Sequence, residues 1–147
     1  MRRVLLCILV QEDILGIGEN ISPRCIRYKN QQLAKSSTAC QIPETGGILG
    51  VSINDPHTVT AFHFDSTGRT ERSTYTPDVG SLNRVIADWA ENGIEFVGFV
   101  HSHPKEDCKL SKTDIEYADK IKKVCSMSLI LMVIYLPDTE EIYPYVI

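Results

Sequence analysis

A chain of 147 residues carries 15 basic and 19 acidic side chains, for a net charge of −4. That length suits one core of ordinary size and is short for two, so a single domain over 1–147 is expected. Without a cluster of lysine and arginine to track phosphates, nucleic acid is not an expected partner, and no stretch approaches the ~20 apolar residues that span a bilayer.

The opening run MRRVLLCILV sets two arginines before a short apolar segment. Gln11, Glu12 and Asp13 follow at once with no small-x-small cleavage site, which favours a buried first strand over a secretory leader. Ser22-Pro23 predicts an N-cap and a first helical residue, opening a helix through Leu33 and Ala34 that Pro43 brings to an end. After Gly46-Gly47, the apolar segment Ile48 to Ile53 reads as a strand, Asn54-Asp55-Pro56 as its turn, and Thr58 to Phe64 as the returning strand. From Asp65 to Gly80 the chain is polar and turn-rich, a long surface loop with room for a short strand around Ser73 to Thr76.

Ser81 is a good N-cap, and Leu82, Val85, Ile86, Trp89 and Ala90 follow it at helical spacing until Gly93. Glu95 to Val100 is a short β-branched strand that delivers His101 at its end. A second helix is expected from Ser111 to about Cys125. Ser128 to Leu136 and Glu140 to Val146 then close as a hairpin around Pro137-Asp138-Thr139, with Pro144 marking an edge strand. Cys7, Cys25, Cys40, Cys108 and Cys125 are odd in number and include no CxxC pair, as expected of free thiols in a reducing, cytoplasmic compartment.

The chemistry concentrates in HSHPKEDCKLSKTD. His101 and His103 occupy alternate positions, so on a continuous strand both imidazoles share one face. Ser111 and Asp114 open the next helix, where Ser-x-x-Asp also reads as a capping box. Asp114 heads the series Asp114, Ala118, Ile121, Cys125, spaced along one helical stripe that should face the core, where a carboxylate needs a strong partner. Two histidines and an acid make up the three protein ligands of a catalytic zinc, the fourth position being left to water whose pKa falls to about 7. Cys108 lies in the same loop and a thiolate also binds zinc, but the three others already fill that quota. H-x-H alone is a weak signal, and His57 and His63, in a turn and on a strand without a nearby acid, read as structural.

Glu44 before Gly46-Gly47-Ile48-Leu49-Gly50, then His101-Ser102-His103-Pro104, Ser111 with seven residues between it and His103, and Asp114: this pattern resembles the JAMM motif of the JAB/MPN metalloprotease family. The likeness extends over about residues 24 to 146. It implies an α/β fold, a curved mixed sheet flanked by helices with a cytidine-deaminase-like architecture. It also implies a zinc-dependent peptidase or isopeptidase in which His101, His103 and Asp114 hold the metal. Glu44 would be the general base and Ser111 the oxyanion donor. Glu44 has a plainer reading as a solvent-exposed acid.

Family members that act on ubiquitin chains carry insertions, for which only the loop from Asp65 to Gly80 has room, so the chain is more similar to compact prokaryotic members. These imply a ubiquitin-like or sulfur-carrier protein with a C-terminal Gly-Gly tail as the partner. The tail is expected in a groove along Thr58 to Phe64, with Phe62 contacting it. A zinc hydrolase of a small peptide or amino-acid conjugate and a non-catalytic scaffold are the alternatives, and iron or manganese also suits such ligands.

Overall fold

The computed structural model describes residues 26–27, 44–71, 74–104 and 107–147. The expected first strand and three of the five cysteines, Cys7, Cys25 and Cys40, lie outside the described residues; of the helix expected from Ser22-Pro23 only Ile26 and Arg27 are described, and they form a strand paired with Glu141 and Ile142 instead.

Among the described residues, eight strands and two helices follow in order: β1 (Ile26–Arg27), β2 (Gly46–Ser52), β3 (Asp55–Phe64), β4 (Arg69–Glu71), β5 (Thr74–Thr76), α1 (Val79–Glu91), β6 (Ile94–Ser102), α2 (Lys112–Cys125), β7 (Leu131–Leu136) and β8 (Glu141–Val146). Six strands form one curved mixed sheet in the order β1-β8-β7-β6-β2-β3, and β4 and β5 form a separate hairpin. Only the β6–β7 pair is parallel, with α2 as its crossover; the others are antiparallel. A parallel pair needs such a long connection, and this one carries the site.

Local chemistry moves several boundaries from those expected. The β2–β3 turn consists of Ile53 and Asn54, because Ser52 pairs with Asp55. Pro56 is tolerated inside β3 because the strand is at the sheet edge and its register slips there. The N-cap of α1 is Asp78 rather than Ser81: its carboxylate accepts the Ser81 N–H at 3.1 Å. Gly93, at φ +70°, stops that helix as expected. Ser111 caps α2 in a complete capping box, and Ser126 ends it in a left-handed conformation at φ 53°. β8 is not the outermost strand, since Glu141 and Ile142 pair with β1; Pro144 falls beyond that short pairing. No described helix is long and apolar enough to cross a membrane.

Side chains alternate between two clusters on opposite faces of the sheet. One holds Leu49, Val51, Val59, Val100, Leu131, Val133, Tyr135 and Ile142. The other holds Ile48, Phe96, Phe99, Ile130 and Met132 with Leu82 and Trp89 of α1 and Ala118 of α2. In β6 the alternation is interrupted: Leu49 faces Gly98 while Gly50 faces Phe96, so Val97 is an extra residue and a bulge. Phe96 and Phe99 consequently share the helix-covered face. At Gly98 a Cβ would stand 1.7 Å from the Leu131 carbonyl oxygen, so only glycine permits the close β6–β7 approach.

Candidate metal centre

Beyond the bulge β6 keeps its period of two, so His101 projects to the same face as Phe99 and lies between the strand and α2. His101 and His103 are buried, at 6% and 7% exposure. Their Nε2 atoms stand 2.8 Å apart, and Asp114 brings Oδ1 to 3.4 Å from the first and Oδ2 to 3.8 Å from the second. All three ligand atoms lie within 4.8 Å of one another. Donors about 2.0 Å from a tetrahedral ion are about 3.3 Å apart, so the three fit one small divalent cation. The backbone carbonyl of Asp107 accepts a bond from His103 Nδ1 at 2.9 Å. That bond places the ring proton on Nδ1 and directs the Nε2 lone pair at the centre, the usual outer support of a metal-binding histidine.

Burial opposes ionisation of Asp114, but the bond and charge of His101 and the two bonds from Ser111 outweigh it and hold the carboxyl far below the usual range. The capping box therefore serves the site as well as the helix. Ser111 N–H donates to Asp114 Oδ2 at 2.7 Å and Ser111 Oγ accepts from Asp114 N–H at 3.1 Å. The stripe predicted from Asp114 holds through Ala118, fully buried, and Ile121, packed on the core, but Cys125 is exposed because the helix ends there.

Glu44 precedes β2 and shares a face with Gly46, which pairs with His101. Ser102 fixes it there: its N–H donates to the Thr45 carbonyl at 2.8 Å and its Oγ accepts from the Thr45 N–H at 2.9 Å. Burial raises the Glu44 pKa, with His103 and His101 pulling it down by less. Glu44, His101, His103, Ser111 and Asp114 all line one cavity of about 550 Å³, whose other walls include Tyr75, Pro77, Phe99, Tyr117 and Met132.

The structure thus brings together five of the residues singled out in the sequence and leaves out the sixth. Phe62 pairs with Leu49 and packs on the cluster across the sheet from the histidines. The period of two decides this, since Leu49 and Ile48 point to opposite faces. The cavity wall is formed instead by β5, within the segment read as a long loop. Cys108 is not among the clustered ligand atoms; its carbonyl accepts the Tyr145 hydroxyl. His57 and His63 stand on β3, outside the cluster. Tyr75, Ser102 and the Asp107 carbonyl were not singled out in the sequence. Only Ser102 had a local signal, its place between the two histidines.

Two imidazoles and a carboxylate gathered by a mixed sheet and its crossover helix define a candidate mononuclear metal site. The chain belongs to the prokaryotic homologues of the JAB domain, whose family model matches residues 28–142. That family includes peptidases. No curated protein matches the chain.

Proposed function

We propose that this protein is a zinc-dependent peptidase or isopeptidase that hydrolyses an amide bond after the C-terminal glycine of a ubiquitin-like or sulfur-carrier protein. The observation that carries the reading is the convergence of His101, His103 and Asp114 in one cavity with Glu44 and Ser111. A zinc ion held there would supply Lewis acidity, making water acidic near neutral pH and polarising the substrate carbonyl.

Glu44 takes a proton from the attacking water, and its raised pKa keeps that proton transferable. The water oxygen bonds to the carbonyl carbon while Ser111 Oγ donates to the developing oxyanion. Glu44 then passes the proton to the amide nitrogen, and the C–N bond breaks to give an amine and a carboxylic acid, whose remaining proton passes to the amine to leave a carboxylate and an ammonium. Asp114 stays ionised throughout under the bonds from Ser111 and His101.

A small peptide or amino-acid conjugate is the second reading. It is favoured by the apolar walls of the cavity, Phe99, Tyr117 and Met132, which exceed what a glycine tail requires.

Elemental analysis of the purified protein tests the centre without a choice of substrate. One zinc per chain is expected, and none in Asp114→Ala; iron or manganese instead would revise the ion. With a ubiquitin-like or sulfur-carrier fusion as substrate, Glu44→Gln should keep the metal and lose about 10²–10⁴-fold in turnover. Absence of bound metal, with zinc supplied, would favour a scaffold.

A further inference from the structure

Apart from the metal ligands, the most completely built polar cluster surrounds Asp65, which follows β3 and is 3% exposed. Its Oδ2 accepts from the Tyr75 hydroxyl at 2.7 Å and from the Asp78 N–H at 2.8 Å. Its own N–H donates to the Gly46 carbonyl at 3.0 Å. Thr67 Oγ1 adds a bond of 2.8 Å to Asp78 Oδ2. One buried aspartate therefore ties the end of β3 to the start of β2 through its N–H, and to β5 and the cap of α1 through its carboxylate. Such burial is costly unless the oxygens are satisfied; Tyr75 and Asp78 supply Oδ2, and Thr67 Oγ1 approaches Oδ1 at 3.4 Å.

The Tyr75 ring occupies a slot. A Cβ at Gly46 would stand 2.4 Å from Tyr75 Cε1, and one at Gly68 would stand 2.7 Å from Cε2. Two glycines thus flank the ring edges, and any larger residue at either would displace it. Burial, then the bond to Asp65, push the phenol far above its ordinary pKa, so it remains a neutral donor. Gly46 pairs with His101 and stands two residues after Glu44, and Tyr75 lines their shared cavity. A chain reaching Glu44 from that side passes over the ring.

We propose that Asp65 is a positioning residue that fixes the Tyr75 ring as a wall of the cleft, and that the substrate's extended main chain lies against this wall. The second half rests on the hydrolase reading; the first does not. A flat ring suits main chain with small side chains, as it offers dispersion contact without demanding a pocket.

The test compares two zinc-directed probes on the zinc-loaded full chain by calorimetry. Acetohydroxamate reports the metal site alone, whereas acetyl-Gly-Gly-hydroxamate also reaches the wall. Asp65→Ala and Tyr75→Leu should each weaken the peptide probe about tenfold and the small probe by less than about twofold. The double variant should lose no more than Tyr75→Leu, since both remove one device. In protein with ¹³Cε-labelled tyrosine, a slotted Tyr75 ring flips slowly and gives separate signals for its two edges, which Asp65→Ala should merge. Equal loss of both probes, additive losses, or unaltered edge signals in Asp65→Ala would overturn the proposal. Should Asp65→Ala not fold, Tyr75→Phe carrying ¹³Cε-labelled phenylalanine decides: merged edge signals from the ring at that position with weaker peptide-probe binding support it, and separate edge signals with wild-type binding overturn it. If the chain binds no zinc, the hydrolase reading fails separately, and the edge signals alone decide the role of Asp65.

Discussion

Glu44 is held in a place that suits its chemistry and opposes its charge. Burial raises its pKa above the ordinary value of 4.5 despite two neighbouring histidines. A group whose folded pKa is raised stabilises the fold most below its unfolded pKa, and that contribution is lost as pH rises through the folded value. At pH 7 the ionised carboxylate is therefore a liability in the metal-free protein. Glu44→Gln should melt a few degrees higher than wild type at pH 7 in the presence of a chelator, and the gain should vanish near pH 4. A gain that persists at pH 4 would mean that packing, not charge, is responsible. The same residue scale explains where the sequence misled. Phe62 was expected to contact a substrate tail in a groove along Thr58 to Phe64, but one step of strand alternation sends it to the face opposite the histidines. Glu44, His101, His103, Ser111 and Asp114 were legible because their chemistry is confined to a fixed order and spacing. Tyr75 was not, because what makes it a wall is the absence of side chains at Gly46 and Gly68.

At the scale of elements, α2 owes its start and its function to the same residue. Ser111 caps the helix and orients Asp114 through a reciprocal pair of bonds. Ser111→Ala should cost about 1 kcal/mol of stability through the lost cap. It should also cost about 10²–10³-fold in turnover through the lost oxyanion donor. Ser111→Thr keeps a hydroxyl for both tasks and should restore most of each, as read by thermal melts beside fusion cleavage. Full turnover by the alanine variant would remove Ser111 from the chemistry and leave it a cap. Both helices were legible from apolar spacing and cap residues, whereas the hairpin of β4 and β5 was only half legible, β5 alone being expected as the short strand around Ser73 to Thr76. Its strands have three residues each, too few for alternation to declare itself. The start of α1 was misplaced for a related reason: Asp78 and Ser81 are both good caps, and only the Asp78 bond to the Ser81 N–H distinguishes them.

For the whole molecule, the sheet order is what makes a site at all. Glu44 comes before β2, His101 from β6 and Asp114 from α2, and they meet because β2 and β6 are neighbours while α2 crosses to β7. An unfolded chain holds no such arrangement, so metal affinity adds directly to folding stability. Free zinc at 100 times its dissociation constant should stabilise the protein by about 2.7 kcal/mol, visible as a rise in melting temperature. Asp114→Ala should show no such rise; an equal rise in the variant would place the bound ion elsewhere. The α/β class and the flanking helices were foreseeable from the chain. The strand order was not, since pairing across long loops leaves no periodic trace in sequence.

The bulge at Val97 acts as a phase shifter within β6. Upstream of it the strand is timed to put Phe96 against Gly50 and Trp89; downstream it is timed to put His101 in the cleft. Deleting that one residue removes none of the five side chains gathered in the cleft, yet it makes the two halves incompatible. Either the aromatic leaves the core or the imidazoles turn to the far side of the sheet. The reading frame of the site is therefore written in the backbone as firmly as in the histidines themselves.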